Sequence, residues 1–167
     1  MTRVWISAGT NVDPEHNMRA AVDNLREEFG ELLLSPVYQT KAVGFEGDDF
    51  LNMVIGIDTE LPPDQLRIRL RAIEESQGRV RGEQKFSPRS IDLDLLTWGE
   101  LVDEAAGIPR DEILRYAFVL KPLADVAPKE IYPGTDDSYE RLWQQFSGAR
   151  SGLVQLDAWL LDEGNPR

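Results

Sequence analysis

Apolar residues along the first hundred positions follow two different patterns, short runs and helical spacing. Short apolar runs predict four strands, at residues 3–8, 32–40, 50–59 and about 90–98, with Pro36 interrupting the second. Apolar residues at helical spacing predict two helices between them, at residues 13–30 and 62–78. The resulting order βαββαβ is that of a ferredoxin-like α+β sheet with helices on one face.

The first predicted helix has clear start and stop residues. Asp13 is its expected N-cap, Pro14 its first residue and Gly30 its end. Residues 107–128 and the short periodic segment 139–146 have weaker patterns, and the tail from about residue 148 has no pattern that we can interpret. Because 167 residues suit one domain and are few for two, residues 1–167 are expected to form a single domain.

Two carboxylates lie inside the last of these apolar runs. Asp92 and Asp94 are two positions apart, so in a strand both side chains point to the same face. The apolar side chains that alternate with them then point into the core: Ile91, Leu93 and Leu95. Adjacent acids on a core strand repel each other, so a cation is expected between them. Mg²⁺ is usually held by one or two carboxylates together with substrate phosphates, so the strand predicts a magnesium and nucleotide site.

Three arginines precede this strand: Arg79, Arg81 and Arg89. Their forked guanidinium groups suit phosphate oxygens, which supports the nucleotide interpretation. Two other interpretations stay open from these residues alone. The aspartates could form strand-end salt bridges with Arg79 or Arg89, or the paired acids could belong to a two-metal nuclease.

The charge of the chain narrows the class of ligand. A formal net charge of −12 argues against a general nucleic-acid or anionic-membrane surface. Residues 67–89 nevertheless hold seven Arg or Lys and only three Glu, which suits a small anionic ligand better than a polyanion. The chain has no long apolar segment and no charged-then-apolar leader, so we expect a cytoplasmic protein, and we expect it to be a monomer.

Side chains suited to covalent catalysis are scarce. The chain has no cysteine, which excludes disulfides, thiolate metal sites and cysteine nucleophiles. Its single histidine, His16, lies in the first predicted helix and is interpreted as a solvated residue. Neither Gly-x-x-x-x-Gly-Lys-[Ser/Thr] nor Gly-x-Gly-x-x-Gly occurs, which excludes Walker and dinucleotide-binding folds. Phosphoryl-type transfer remains compatible, because it needs positioning and charge neutralisation rather than a nucleophilic side chain.

A longer segment around the aspartates resembles the signature of a known family. Residues 85–96, Lys-Phe-Ser-Pro-Arg-Ser-Ile-Asp-Leu-Asp-Leu-Leu, are similar to the signature of the 6-hydroxymethyl-7,8-dihydropterin pyrophosphokinases of folate synthesis. Other similar segments follow in the family's order over roughly residues 3–134: Gly9-Thr10-Asn11, Tyr38-Gln39-Thr40, Gly44, Phe50-Leu51-Asn52, residues 77–81 and residues 118–123.

The resemblance implies an activity, a fold and a set of site residues. It implies transfer of pyrophosphate from ATP to the hydroxymethyl group of a reduced pterin, with release of AMP, and a three-layer α/β/α elaboration of the ferredoxin-like sheet. Two Mg²⁺ ions would be held by Asp92 and Asp94. The expected catalytic residues are these two together with Arg79 and Arg89. The expected nucleotide-binding residues are Glu74, Arg79, Arg81, Lys85, Arg89 and Arg110. The expected pterin-binding residues are Thr40, Val43, Phe50, Asn52 and Phe118.

The pterin assignment agrees with the strand pattern. Phe50 and Asn52 alternate onto one face of their predicted strand, while Leu51 and Met53 take the other. An amide in the middle of a strong strand needs hydrogen-bond partners, and a pterin ring edge offers complementary donors and acceptors. The aromatic ring can stack on the pterin face, and the resemblance implies that Phe118 supplies the second stacking surface.

Two departures from the family pattern leave alternatives open. The chain has Arg110 where the family usually has a histidine near the phosphates, and Tyr116 where it commonly has an arginine. These departures bear on nucleotide affinity and rate more than on fold or metal. The alternatives are a pyrophosphokinase for another reduced pterin and a pterin- or nucleotide-binding paralogue that has lost turnover.

Overall fold

The computed structural model describes residues 1–40, 49–78, 90–150 and 152–156. The chain forms, in order, β1 (Thr2–Thr10), α1 (Pro14–Phe29), β2 (Leu33–Leu34), β3 (Tyr38–Thr40), β4 (Phe50–Thr59), α2 (Pro63–Ser76), β5 (Asp92–Trp98), α3 (Glu112–Arg115), α4 (Ala117–Val126), α5 (Tyr139–Gln144) and β6 (Val154–Gln155).

The strands form one antiparallel sheet in the order β5-β1-β4-β3-β6, with β2 also paired to β4. Strand β1 lies between β4 and β5, and β2 and β3 together take the place of one ferredoxin-like strand beside β4. The predicted βαββαβ core is therefore confirmed. In this order, the strand that carries the two aspartates is separated from the strand that carries Asn52 only by β1.

The predicted interruption at Pro36 has a clear hydrogen-bonding basis. Proline has no N–H to donate to a strand ladder. The preceding Ser35 is fully buried; its N–H donates to the carbonyl oxygen of Val54 (3.0 Å), and its hydroxyl accepts the N–H of Val54 (2.8 Å). Ser35 thus keeps this stretch on β4 between the two short strands.

Each face of the sheet covers its own hydrophobic core. Helices α1 and α2 pack on one face against alternate residues of β1, β4 and β5, among them Ile6, Ile55 and Leu93. The other face carries Trp5, Val54 and Leu96, packed against α3, α4 and α5. The three-layer α/β/α arrangement is therefore confirmed, and the second layer of helices comes from the chain after β5 that the sequence pattern left undefined.

The indole of Trp5 shows how tightly the second face is packed. Its ring lies on Gly56, where an added Cβ would stand only 2.5 Å from Cζ3, and its Nε1 donates to Glu130 (2.8 Å). This contact fixes the segment after α4 to the sheet, on the face that also carries Asp92 and Asp94.

The start of α1 differs in detail from the sequence prediction. Asp13 occupies the N-cap position and Pro14 the first helical position, but the side chain of Asp13 makes no capping hydrogen bond. The backbone of Asp13 is left-handed, with φ 39° and ψ 59°, whereas a capping residue ordinarily has an extended backbone. Asp13 and Pro14 therefore take the predicted positions at the start of the helix, without a side-chain capping bond.

Part of the uninterpreted tail joins the sheet. Strand β6 pairs with β3, with Gln155 opposite Tyr38 and Val154 opposite Gln39. The hydroxyl of Tyr38 contacts both Asp125 of α4 and Gln155, so one buried phenol joins β3, α4 and β6. Within the described ranges, no helix is long and apolar enough to cross a membrane.

Candidate active site

A row of residues runs across three strands on the face that α4 covers. Asp92 of β5 lies opposite Gly9 of β1, which in turn lies opposite Asn52 of β4. One pleat further along β1, Ser7 lies opposite Asp94 on one side and Val54 on the other. Because neighbouring strands are about 4.8 Å apart, Asp92 and Asn52 are on the order of 10 Å from each other along this row.

The row forms the floor of a cavity of about 330 Å³. The residues around it come from β1, β3, β4, β5, α3 and α4. The residues that line it are Ser7, Ala8, Gly9, Thr40, Phe50, Asn52, Met53, Asp92, Asp94, Glu112, Phe118 and Val119. The cavity thus brings together the two predicted metal ligands and four of the five residues predicted to bind the pterin.

Asn52 is the polar centre of the end of the cavity formed by β3 and β4. Its side chain is 8% exposed, and its Nδ2 donates to Thr40 Oγ1 (3.2 Å). The described residues supply no other hydrogen bond to this carboxamide. One N–H and the carbonyl oxygen can therefore serve a ligand whose edge carries both donors and acceptors. Phe50 and Phe118 supply aromatic surface at the same end.

Gly9 is required by the position of the Asn52 carboxamide. A Cβ built on Gly9 would lie 2.9 Å from Asn52 Oδ1, closer than side chains tolerate. A glycine in the middle of a strand often marks such a close approach. The Gly9-Thr10-Asn11 segment singled out in the sequence therefore has a steric role, which the sequence did not reveal.

Replacing Gly9 with alanine should displace the Asn52 carboxamide without disturbing the strand. We expect Gly9→Ala to weaken binding of the pterin that the sequence predicts by roughly tenfold, because one well-placed hydrogen bond is lost or bent. Titration of pterin fluorescence measures this. Thr2→Ala, on β1 but outside the cavity, is the control and should bind the pterin normally. Equal affinity of Gly9→Ala and the parent protein would contradict this steric role.

Arg110 places a positive charge beside the carboxylates at one end of the cavity. Its backbone N–H donates to the carbonyl oxygen of Leu96 (2.8 Å), which holds the segment before α3 beside β5. Its Nη2 lies 4.0 Å from Asp94 Oδ2, and its Nε donates to Glu112 Oε1. Burial lowers the pKa of Arg110, but the carboxylates of Asp94 and Glu112 outweigh burial and raise that pKa above its ordinary value. A firmly held positive charge therefore stands beside one of the two aspartates.

Glu112 is a cavity residue that the sequence analysis missed. It lines the site cavity and also a second cavity of about 640 Å³, which Arg110 lines as well. The paired Arg110 and Glu112 thus form part of the wall where the two cavities approach each other. An acid two residues after Pro109-Arg110 gave no recognisable sequence signal, because only the fold brings this segment beside β5.

Glu74 has a structural contact that its predicted nucleotide role does not explain. It is almost fully buried on α2, and its Oε2 accepts the backbone N–H of Leu93 (2.7 Å). Leu93 lies between the two aspartates on the outer strand of the sheet, so this bond helps to fix the strand that presents them. Contact between Glu74 and a nucleotide stays a prediction.

The donor set fits magnesium held jointly with phosphate. Among the described residues there is no cluster of three or more His, Cys, Asp or Glu that could enclose a metal ion by itself. Asp92 and Asp94 are partly exposed at the cavity, and Mg²⁺ commonly takes one or two carboxylates and completes its shell with waters and substrate phosphates. These two residues are therefore suited to a metal that arrives with a nucleotide.

Several predicted site residues lie outside the described residues. They are Val43, Arg79, Arg81, Lys85 and Arg89. Their assignments stay predictions.

Solved structures support the fold. The chain is similar to a crystal structure of Plasmodium falciparum HPPK-DHPS, wild type with pteroate, with a TM-score of 0.70 at 11% identity. The similarity covers 87% of this chain and 44% of the solved chain, so the chain spans less than half of that protein's length. At this identity the likeness concerns the fold alone.

Sequence relatives identify the family. The family model for 7,8-dihydro-6-hydroxymethylpterin-pyrophosphokinase matches residues 5–128. A Pseudomonas aeruginosa protein named 2-amino-4-hydroxy-6-hydroxymethyldihydropteridine pyrophosphokinase is 38% identical over 135 residues, covering 75% of this chain and 81% of the relative. A Bacillus subtilis protein of the same name is 34% identical over 154 residues, covering 86% and 92%. The chain therefore belongs to the 7,8-dihydro-6-hydroxymethylpterin-pyrophosphokinase family, and the prediction of an ATP-dependent pyrophosphokinase of folate biosynthesis is confirmed.

Proposed function

We propose that this protein transfers pyrophosphate from ATP to the hydroxymethyl oxygen of 6-hydroxymethyl-7,8-dihydropterin and releases AMP. The observation that carries the proposal is the single cavity that joins Asp92 and Asp94 to Asn52, Phe50 and Phe118. A carboxylate end suited to metal-bound phosphates and an aromatic, amide-bearing end suited to a pterin share one floor. Their separation, on the order of 10 Å, leaves room for a pterin ring whose substituent points toward the phosphates.

The transfer is an in-line displacement at the β-phosphorus of ATP. The hydroxymethyl oxygen of the pterin forms a bond to that phosphorus, the bond to the oxygen shared with the α-phosphate breaks, and AMP leaves with that oxygen. The hydroxyl proton passes to solvent or to a phosphate oxygen. Such a reaction depends on alignment and on neutralised charge more than on a nucleophilic side chain, which agrees with the residues of the cavity.

Asp92 and Asp94 are proposed to hold two Mg²⁺ ions together with the triphosphate. When bound, magnesium neutralises the charge of the phosphates and aligns them for displacement. The chain itself orients the two carboxylates, through the β1 pairing and the bond from Leu93 to Glu74. Arg110 adds positive charge next to Asp94 and is proposed to meet a phosphate once Asp94 engages the metal.

Asn52 and the two phenylalanines are proposed to hold the pterin. The carboxamide forms hydrogen bonds with donors and acceptors along the ring edge, and Thr40 fixes its orientation. Phe50 and Phe118 stack on the ring and exclude water from it. Val43, Arg79, Arg81, Lys85 and Arg89 keep the pterin and nucleotide roles proposed for them by resemblance.

The experiment that tests this function is measurement of AMP formed from ATP and Mg²⁺ with 6-hydroxymethyl-7,8-dihydropterin. Steady AMP release that requires the pterin is the expected result. Competition with other reduced pterins decides whether a different one is preferred. Pterin binding without AMP release would support the paralogue that has lost turnover and would overturn the proposed activity. Light scattering on the same sample tests the proposed monomeric state, and a single cooperative unfolding transition tests the proposed single domain.

A further inference from the structure

Tyr116 and Phe118 form an aromatic stack at the edge of the cavity. Their ring centroids are 5.1 Å apart and their planes differ by 18°. Phe118 lines the cavity, whereas Tyr116 is not among its lining residues. Both residues are more than a third exposed, so neither is fixed by burial in the core.

The backbone at Tyr116 makes this stack possible. Tyr116 is the single residue between α3 and α4, with an extended backbone (φ −122°, ψ 126°). Its carbonyl oxygen accepts the N–H groups of Val119 (3.1 Å) and Leu120 (3.0 Å) and so starts α4. Residues two apart in a continuous helix do not face each other, so the extended residue is what lets ring 116 lie on ring 118.

Tyr116 is itself held in place by contacts with the residues that precede it. The N–H of Tyr116 donates to the carbonyl oxygen of Glu112 (3.0 Å), and the guanidinium carbon of Arg115 lies 5.3 Å from the centroid of the ring. A cation at this distance from an aromatic ring is attracted by its electrons. Phe118 therefore stacks on a neighbour with its own support.

A half-exposed phenylalanine in the first turn of a helix has more than one accessible rotamer. A ring that must meet a flat ligand binds more tightly when it is already restricted to the binding orientation, because less conformational freedom is lost on binding. Stacking on Tyr116 supplies such a restriction for Phe118.

We propose that Tyr116 is a positioning residue for the pterin subsite, which holds the ring of Phe118 in the orientation that stacks on the pterin. This inference rests on the proposed function, in which Phe118 is one of the two stacking surfaces. Tyr116 itself does not touch the pterin and acts through Phe118. The chain thus lacks the arginine that the family commonly has at this position, and has instead an aromatic ring that restricts the orientation of Phe118.

The test compares variants at Tyr116 in the full chain, with 6-hydroxymethyl-7,8-dihydropterin and ATP as the probes. Tyr116→Ala is expected to raise the Kd and KM for the pterin by about two- to tenfold, the range that an aromatic pair contributes, and to leave the KM for ATP within about twofold. Tyr116→Phe keeps the ring and should match the parent protein. Tyr116→Leu keeps apolar bulk without a flat ring and should resemble Tyr116→Ala, and it serves as the second variant should Tyr116→Ala fail to fold.

Leu114→Ala is the matched control. Leu114 is an exposed apolar residue of α3 that does not line the cavity, so its removal tests the effect of any apolar truncation next to this segment. It should leave both KM values unchanged. Equal losses in pterin affinity for Leu114→Ala and Tyr116→Ala would overturn the proposal.

Phe118→Ala separates failure of this inference from failure of the proposed function. If Phe118→Ala leaves pterin binding unchanged, the assignment of Phe118 as a pterin wall is wrong. If Phe118→Ala weakens pterin binding and Tyr116→Ala does not, only the positioning role is wrong. In the Phe118→Ala background, Tyr116→Ala should cause no further loss. A rise in the KM for ATP in Tyr116→Phe would instead assign the hydroxyl to the nucleotide and overturn the proposal.

Discussion

Asp92→Ala and Asp94→Ala are each expected to lower kcat for AMP formation by about a thousandfold or more. Each removes a carboxylate proposed to hold Mg²⁺ against the phosphates, and loss of several kcal/mol of charge stabilisation corresponds to a factor of this size. Raising the Mg²⁺ concentration should not restore the rate, because the missing ligand is part of the protein. The measurement is single-turnover AMP formation at saturating substrates.

The fold should survive both substitutions. Asp92 and Asp94 lie on the same face of β5 and repel each other, so removing one relieves repulsion when no metal is bound. Asp94 also interacts with Arg110 at 4.0 Å, but both side chains are more than a third exposed, so this pair stabilises the fold by no more than about 1 kcal/mol. Thermal unfolding should therefore place both variants close to the parent protein.

Asp136→Ala is the control for these variants. Asp136 is an exposed aspartate outside both cavities, so its removal changes the net charge equally without touching the site. It should retain parent activity. Near-normal AMP formation by either Asp92→Ala or Asp94→Ala in Mg²⁺ would show that the metal assignment is wrong.

The central sheet could be predicted from the sequence because its strands have one or two buried faces. The alternation in β4 and β5 placed Asn52 and the two aspartates correctly, on the face opposite Leu51 and Leu93. A shift of one residue would move every side chain to the other face, so a pattern of this kind admits only one interpretation. What the alternation could not give is the register between strands, which places Gly9 between Asp92 and Asn52.

The second layer of helices could not be predicted, because its formation depends on tertiary contacts. Helix α4 contains Pro122, which removes one backbone donor and normally ends or bends a helix. Burial of Leu120 and Leu123 against the sheet outweighs this local preference. Strand β6 has only two residues, and both are exposed, so no periodic signal exists. Glu112 was missed for the same reason, since α3 is four residues long and reaches the site only through its packing.

The described residues predicted to bind the pterin line the cavity, whereas Glu74 and Arg110, predicted to bind the nucleotide, do not. Thr40, Phe50 and Asn52 come from neighbouring strands and meet because β3 pairs with β4. Of the residues proposed to contact the nucleotide, the structure describes Glu74, which lies on α2, and Arg110, which lies just before α3. Spacing along the chain says little about where such residues lie in space. Arg110 is an example: its place beside Asp94 depends on one backbone bond to Leu96.

Asn52→Ala is expected to lower kcat/KM for the pterin by about a hundredfold, with a much smaller change in the KM for ATP. The carboxamide is nearly buried in the cavity wall, so its loss leaves polar groups of the pterin edge without partners in a site that excludes most water. A buried polar group left unpaired costs about 1–3 kcal/mol, which corresponds to a loss of roughly 5- to 150-fold. Asn52→Asp keeps the shape but donates no hydrogen bond, so it should lose pterin affinity to a similar extent.

Asn24→Ala is the control. Asn24 lies on α1, on the opposite face of the sheet, where its Nδ2 donates to Gln77 Oε1 (3.1 Å), so its removal should leave pterin binding unchanged. Retention of full pterin affinity by both Asn52 variants would mean that the pterin does not bind at this end of the cavity.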